Sequence, residues 1–260
     1  MRSVDEIEAE LIGPGGAFAI GVEEVLGERI KVFKNRNRSL REIAENSANH
    51  TDNEYIVCEE QRLTFREHLA RVSAVAHKLR HTYGVNPGDR VAILADNHPQ
   101  WIITFWATVS IGGICAGLNG WWSRDEILHA LEDAQPKLLI GDCKRLARIA
   151  GVDLPFPVIC IEDDFATLEQ GWDAGEGALP DCQIAEDDPA LILYTSGTTG
   201  RAKGALISHR ALITFLASAI FSGFRMMIME AEAGKSLTSS SLPNCGLFSA
   251  PLFHLSGLFT

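Results

Sequence analysis

Ala190-Leu191-Ile192-Leu193-Tyr194 runs straight into Thr195-Ser196-Gly197-Thr198-Thr199-Gly200-Arg201-Ala202-Lys203-Gly204, and a second apolar run, Ala205-Leu206-Ile207, follows at once. A short unbroken apolar run bounded by glycine-rich sequence reads as a strand buried on both faces. Between the two runs lie hydroxyls, glycines and one lysine. Gly197, Gly200 and Gly204 let the backbone take positive φ and come close to a ligand. Successive amides in such a turn form an anion-binding nest. The hydroxyls of Thr195, Ser196, Thr198 and Thr199 can donate to phosphate oxygens, and Lys203 adds a compact positive charge. In chemical terms the stretch is a polyphosphate cradle. It is not a Walker loop, because Gly204 follows Lys203 where Ser or Thr is required.

The rest of the chain places this loop in an α/β fold. Residues 91–94, 114–118, 137–140 (apolar after Lys137) and 158–161 are further apolar runs that read as strands. Such runs suit a doubly wound, largely parallel sheet flanked by helices on both faces. The sheet is expected through roughly residues 65 to 219, with the 190–194 strand central and the loop at its C-terminal end. Thr64 and Glu67 have the spacing of a capping box, and Phe65, Leu69, Val72, Ala76, Leu79 and Tyr83 form one helical stripe after it, stopped by Gly84. Ser123 and Glu126 open a second helix that ends before Pro136. Residues 55–59 and 62–64 read as a hairpin. His209-Arg210 starts a helix that should bury Leu212, Phe215, Leu216 and Ala219. The glycine-punctuated, acidic residues 1–30 read as a loosely ordered extension to a domain over 31–260, and residues 231–243 as a disordered stretch.

Composition narrows the partners. A formal net charge of −11 with no basic stripe argues against DNA or RNA. The six cysteines are scattered without a CxxC pair, so reduced thiols and no metal site are expected, as in a cytoplasmic protein. Residues 101–118 are uncharged over 18 positions, but Thr104, Thr108, Ser110 and Gly112-Gly113 favour a buried helix and strand over a membrane span. No transmembrane segment is expected; peripheral membrane contact stays open.

Residues 194–204 resemble the phosphate-binding signature of the adenylate-forming (AMP-binding) superfamily, which includes acyl-CoA synthetases, nonribosomal-peptide adenylation domains and luciferases. The chain departs from the family pattern at Ala202, where proline is usual. Other stretches resemble the same family. Pro87-Gly88-Asp89-Arg90 with residues 91–94 is similar to its first core strand, and Leu118-Asn119 to the element that follows. Pro251-Leu252-Phe253-His254 with Gly257 is similar to the motif whose histidine or aromatic ring borders the acyl pocket. Trp121-Trp122 and the Gly13-Pro14-Gly15 extension resemble fatty-acid–CoA ligases in particular.

The resemblance implies ATP, Mg²⁺ and coenzyme A as co-substrates and a small carboxylic acid, a fatty acid, as partner. It implies that Thr195, Ser196, Gly197, Thr198, Thr199, Gly200, Lys203 and Gly204 hold the nucleotide, with Thr199 and Lys203 catalytic, and that His254 touches substrate. It further implies that the chain is an incomplete N-terminal domain, inactive alone, because the metal, ribose and lid-domain groups of the family lie outside it. A domain loading a carrier protein, or a non-catalytic binding remnant, are the rival expectations.

Overall fold

The computed structural model describes residues 2–170, 178–195, 201–234 and 246–258. They form two compact units, one of Met1–Arg38 with Arg210–Leu247, the other of Ser39–His209 with Phe248–Thr260.

The first unit opens with helix α1 (Val4–Ile12), where Ser3 and Glu6 cap reciprocally and Ile7 and Leu11 are buried. Strands β1 (Ile20–Val25) and β2 (Glu28–Phe33) follow as an antiparallel hairpin. Its turn places Leu26 at φ 50° and Gly27 at φ 87°, the left-handed pair that matches strand twist. The loosely ordered extension expected over residues 1–30 is therefore replaced by a capped helix and a hairpin. Alternating charge and glycine hid them, because a short half-exposed hairpin carries little apolar signal.

The second unit begins with helix α2 (Leu40–Asn46), capped by Ser39, and the hairpin of β3 (Glu54–Cys58) and β4 (Gln61–Thr64). Helix α3 (Phe65–His81) has the expected Thr64–Glu67 capping box and buries Val72, Ala76 and Leu79. Then come β5 (Arg90–Leu94), α4 (Pro99–Ser110), β6 (Ile114–Gly117), α5 (Arg124–Ala134), β7 (Leu138–Gly141), α6 (Cys143–Leu146), β8 (Val158–Cys160), α7 (Phe165–Glu169), β9 (Pro189–Thr195) and β10 (Lys203–Ser208). α5 has its Ser123–Glu126 box and stops at Gln135, which is left-handed at φ 44°. The uncharged run at 101–118 is the buried α4 and β6, as its polar interruptions indicate.

The six strands lie in the order β10-β9-β6-β5-β7-β8. β9, β6, β5, β7 and β8 are mutually parallel, and β10 runs antiparallel to β9. Val91, Ala92, Ile93 and Leu94 are all wholly buried, which explains the continuous rather than alternating pattern. On one face Ala92, Leu94, Ala116, Leu118, Leu139 and Tyr194 form a core with Ile127, Ala130 and Leu131 of α5. The expectation that 190–194 is central is corrected: β9 is next to the edge. A short loop can return the chain only as an antiparallel neighbour, so β10 takes the edge and β9 the place inside it.

Two further expectations are corrected. Helix α8 (His209–Glu232) buries Leu212 and Ile213, but Phe215 is 40% exposed and Ala219 is also exposed. Within the first unit, Phe221 and Phe224 of α8 pack edge-on against Phe18, and Arg225 pairs with Glu8. By length and composition alone α8 is apolar enough to cross a membrane. The second correction concerns the thiols: Cys143 and Cys160 form a disulfide, with Cα atoms 5.7 Å apart. Parallel pairing sets Gly141 of β7 beside Cys160 of β8, so Cys143, two residues on, meets it. Sequence spacing carries no trace of that register.

Candidate active site

Ligands in open α/β sheets bind beyond the carboxyl ends of the strands, where successive crossovers leave in opposite directions. Here the chain goes from β5 to β6 on one side and then crosses to β7 on the other. The residues following β5, β6, β7 and β9 therefore gather at one edge.

The phosphate-type loop is rooted there. Thr195 ends β9, and Lys203, which begins β10, is its register partner; Gly204 pairs with Tyr194. Both ends of the loop thus stand at the carboxyl end of β9. Ser196, Gly197, Thr198, Thr199 and Gly200 lie outside the described residues. The base of the loop is pinned by Tyr194, whose hydroxyl reaches Ala130 O and Asp133 Oδ2 at 3.0 Å each. Burial first, and then Asp133, holds that phenol well above its ordinary pKa, so it stays a neutral donor. Its ring stands edge-on to Trp122 at 5.4 Å. Gly204 is required here because a Cβ would lie 2.9 Å from Ile192 Cγ2.

The second group comes from the segment 250–254. Asn97, just after β5, clasps it: Asn97 Nδ2 donates to Ala250 O at 3.0 Å, and Leu252 N donates to Asn97 Oδ1 at 2.9 Å. Phe253 then sits over Gly117 at the end of β6. A Cβ on Gly117 would stand 3.2 Å from Leu193 Cδ2 and 3.6 Å from the Phe253 Cα. Trp121 packs edge-on to Phe253 at 5.3 Å and lies 6.3 Å from the His254 ring. Phe253 is buried, whereas His254 and Trp121 are exposed. The structure therefore brings Trp121, Phe253 and His254 together, and sets Thr195 and Lys203 together at the end of the neighbouring β9.

Sequence reasoning missed the clasp beneath them. Asp142, directly after β7, accepts from Asp96 N at 2.8 Å and from Arg145 N at 2.8 Å. Arg145 is buried and returns Nη1 to Asp142 Oδ2 at 2.7 Å, Nη2 to Asp96 Oδ2 at 3.0 Å and Nε to Gly120 O at 3.0 Å. Burial pushes the Asp96 pKa up, but the Asn97 N–H and Arg145 outweigh it and leave the carboxyl lowered. One guanidinium thereby ties the loops after β5, β6 and β7.

The model of the AMP-binding enzyme family matches residues 43–258. The chain belongs to that family. It is 31% identical over 167 residues to a 3-hydroxybenzoate/4-hydroxybenzoate–CoA ligase of Thauera aromatica, covering 61% of this chain and 32% of the ligase. It is 31% identical over 181 residues to the N-(5-amino-5-carboxypentanoyl)-L-cysteinyl-D-valine synthase of Penicillium rubens, covering 69% of this chain and 5% of the synthase. The N-terminal subdomain of Klebsiella oxytoca NpsA, solved with 3-hydroxybenzoyl-AMSN, superposes with a TM-score of 0.59 at 26% identity, over 70% of this chain and 43% of that one. The AMP-binding chain thus spans about a third of the Thauera ligase and far less of the synthase.

Proposed function

We propose that this chain supplies the phosphate-holding part of an acid–thiol ligase. In that reaction a carboxylate attacks the α-phosphate of ATP, pyrophosphate leaves, and the thiol of coenzyme A then displaces AMP from the acyl-adenylate. The observation that carries the reading is the convergence of two groups at one sheet edge. Thr195 and Lys203 root an anion-binding loop, and Trp121, Phe253 and His254 form an aromatic wall beside it.

Both partners of the first step are anions, so the barrier is largely electrostatic. Lys203, the loop amides and the hydroxyls of Thr195, Ser196, Thr198 and Thr199 take up the charge of the departing phosphates. Mg²⁺ arrives with ATP as part of the substrate. Asp96 and Asp142, which follow β5 and β7, are committed to Arg145. Trp121 and Phe253 fit an acid with an apolar body, and the Trp121-Trp122 pair favours a fatty acid within that class. The likeness to the Penicillium synthase supports a second reading, transfer to a carrier-protein thiol in place of coenzyme A.

Non-hydrolysable acyl-adenylate analogues test the reading on the chain itself. A long-chain acyl analogue is expected to bind more tightly than a hydroxybenzoyl one. Phe253→Ala is expected to weaken the acyl analogue about tenfold and leave AMP binding unchanged, since burying an aromatic ring is worth on the order of 1.5 kcal/mol or more. Equal binding of the two analogues would replace the fatty acid with an aryl acid. Loss of AMP binding together with acyl binding would remove the aromatic wall from the acyl site.

A further inference from the structure

Cys143 and Cys160 lie just beyond β7 and at the end of β8, and two carboxylates stand against them. Glu162 Oε2 is 3.3 Å from Cys160 Sγ, and Asp163 Oδ2 is 3.4 Å from Cys143 Sγ. One ligand atom from each of Cys143, Cys160 and Glu162 falls within 4.8 Å of the others. We propose that, once its disulfide is reduced, this cluster is a binding site for a thiophilic divalent cation of the zinc type, with Cys143, Cys160, Glu162 and Asp163 as ligands.

The geometry is that of such a site. Donors about 2.0–2.3 Å from a tetrahedral ion stand about 3.3–3.8 Å from one another. The two sulfur–oxygen separations already match, the sulfurs must part, and Asp163 must swing in to join the other three. Two half-buried thiolates and two exposed carboxylates would bring four negative charges together, which a dication offsets. The surroundings orient the donors: Cys143 N donates to Glu162 Oε2 at 2.9 Å, and Cys160 N to Asp164 Oδ2 at 3.1 Å. In the redox step a dithiol reductant attacks the Cys143–Cys160 bond. That bond breaks, two thiols form, and the reductant closes to a cyclic disulfide. Metal binding then releases both thiol protons to solvent. Oxidised, the same sulfurs are a covalent staple between β8 and α6; reduced, the metal takes over that link.

Co²⁺ alone is the probe. The chain, reduced by a dithiol and freed of it, is titrated with Co²⁺, and thiolate-to-cobalt charge-transfer and tetrahedral d–d absorption are followed. One Co²⁺ per chain is expected in the reduced protein, none in the oxidised protein, and displacement by Zn²⁺. Cys143→Ser and Cys160→Ser should each abolish the bands with Cys58, Cys115 and Cys182 still present. Glu162→Gln should weaken binding by at least the about tenfold that even an outer partner costs. Circular dichroism checks that each variant folds; if a serine variant does not, the oxidised protein and Glu162→Gln decide. Absence of the bands in reduced protein, or their survival in both serine variants or unchanged in Glu162→Gln, overturns the proposal.

Discussion

Arg145 shows how much one side chain does at this sheet edge. Its guanidinium is 5% exposed and meets Asp142, itself 3% exposed, at 2.7 Å while also reaching Asp96 and the Gly120 carbonyl. A fork of fixed donors on three nitrogens suits this task, whereas a lysine ammonium concentrates its donors at one point. Removing one partner of a buried pair leaves the other charge uncompensated, which costs about 3–5 kcal/mol. Arg145→Ala is therefore expected to lower urea-unfolding stability by about that amount. A loss under about 1 kcal/mol would show that the clasp does not hold the loops. Gly120 belongs to the same arrangement, since a Cβ there would lie 2.5 Å from Arg145 Nε. None of this was legible in the sequence, because Asp96, Gly120 and Asp142 meet Arg145 only through the order of the strands. The strand on each side of the loop, with Thr195 and Lys203 at its ends, was legible, because both strands are short apolar runs next to one another in the chain.

At the scale of elements, two buried histidines tie strands and helices together. His209 ends β10's connection into α8, and its Nδ1 accepts the Leu40 N–H at 3.0 Å, joining the start of α2. His68 is buried within α3. Burial holds His209 down to about 4, against the opposing charge of Asp188; burial and then Arg71 hold His68 down to about 3. Both are neutral in the fold, whereas an unfolded histidine takes a proton near about 6.5. The unfolded state thus binds more protons between about pH 6.5 and about 4, and stability must fall as pH falls through that window. Urea midpoints are expected to be level above about pH 7 and to decline toward pH 4, with a shallower decline in His68→Phe. A midpoint flat across the window would contradict the neutral assignment. The capped helices α3 and α5 and the parallel strands were readable from spacing and continuous apolar runs. The β9 position, the β1–β2 hairpin and the Cys143–Cys160 link were not, because each depends on which strand lies beside which.

For the molecule as a whole, the sheet order delivers the loop ends of β9 and β10 and the 250–254 segment to one carboxyl edge, and the family match over 43–258 agrees with what that edge can do. We propose that residues 195–204 grip the phosphates of ATP through Lys203. The decisive measurement is ATP binding to the 260-residue chain, followed by titration calorimetry for the native protein and Lys203→Ala. A charge-assisted contact is worth about 1.5–3 kcal/mol. The native chain should therefore bind ATP, and Lys203→Ala should bind it about ten- to a hundredfold more weakly, with AMP affinity changed far less and the fold intact. Equal ATP affinity in a folded Lys203→Ala protein would contradict the claim.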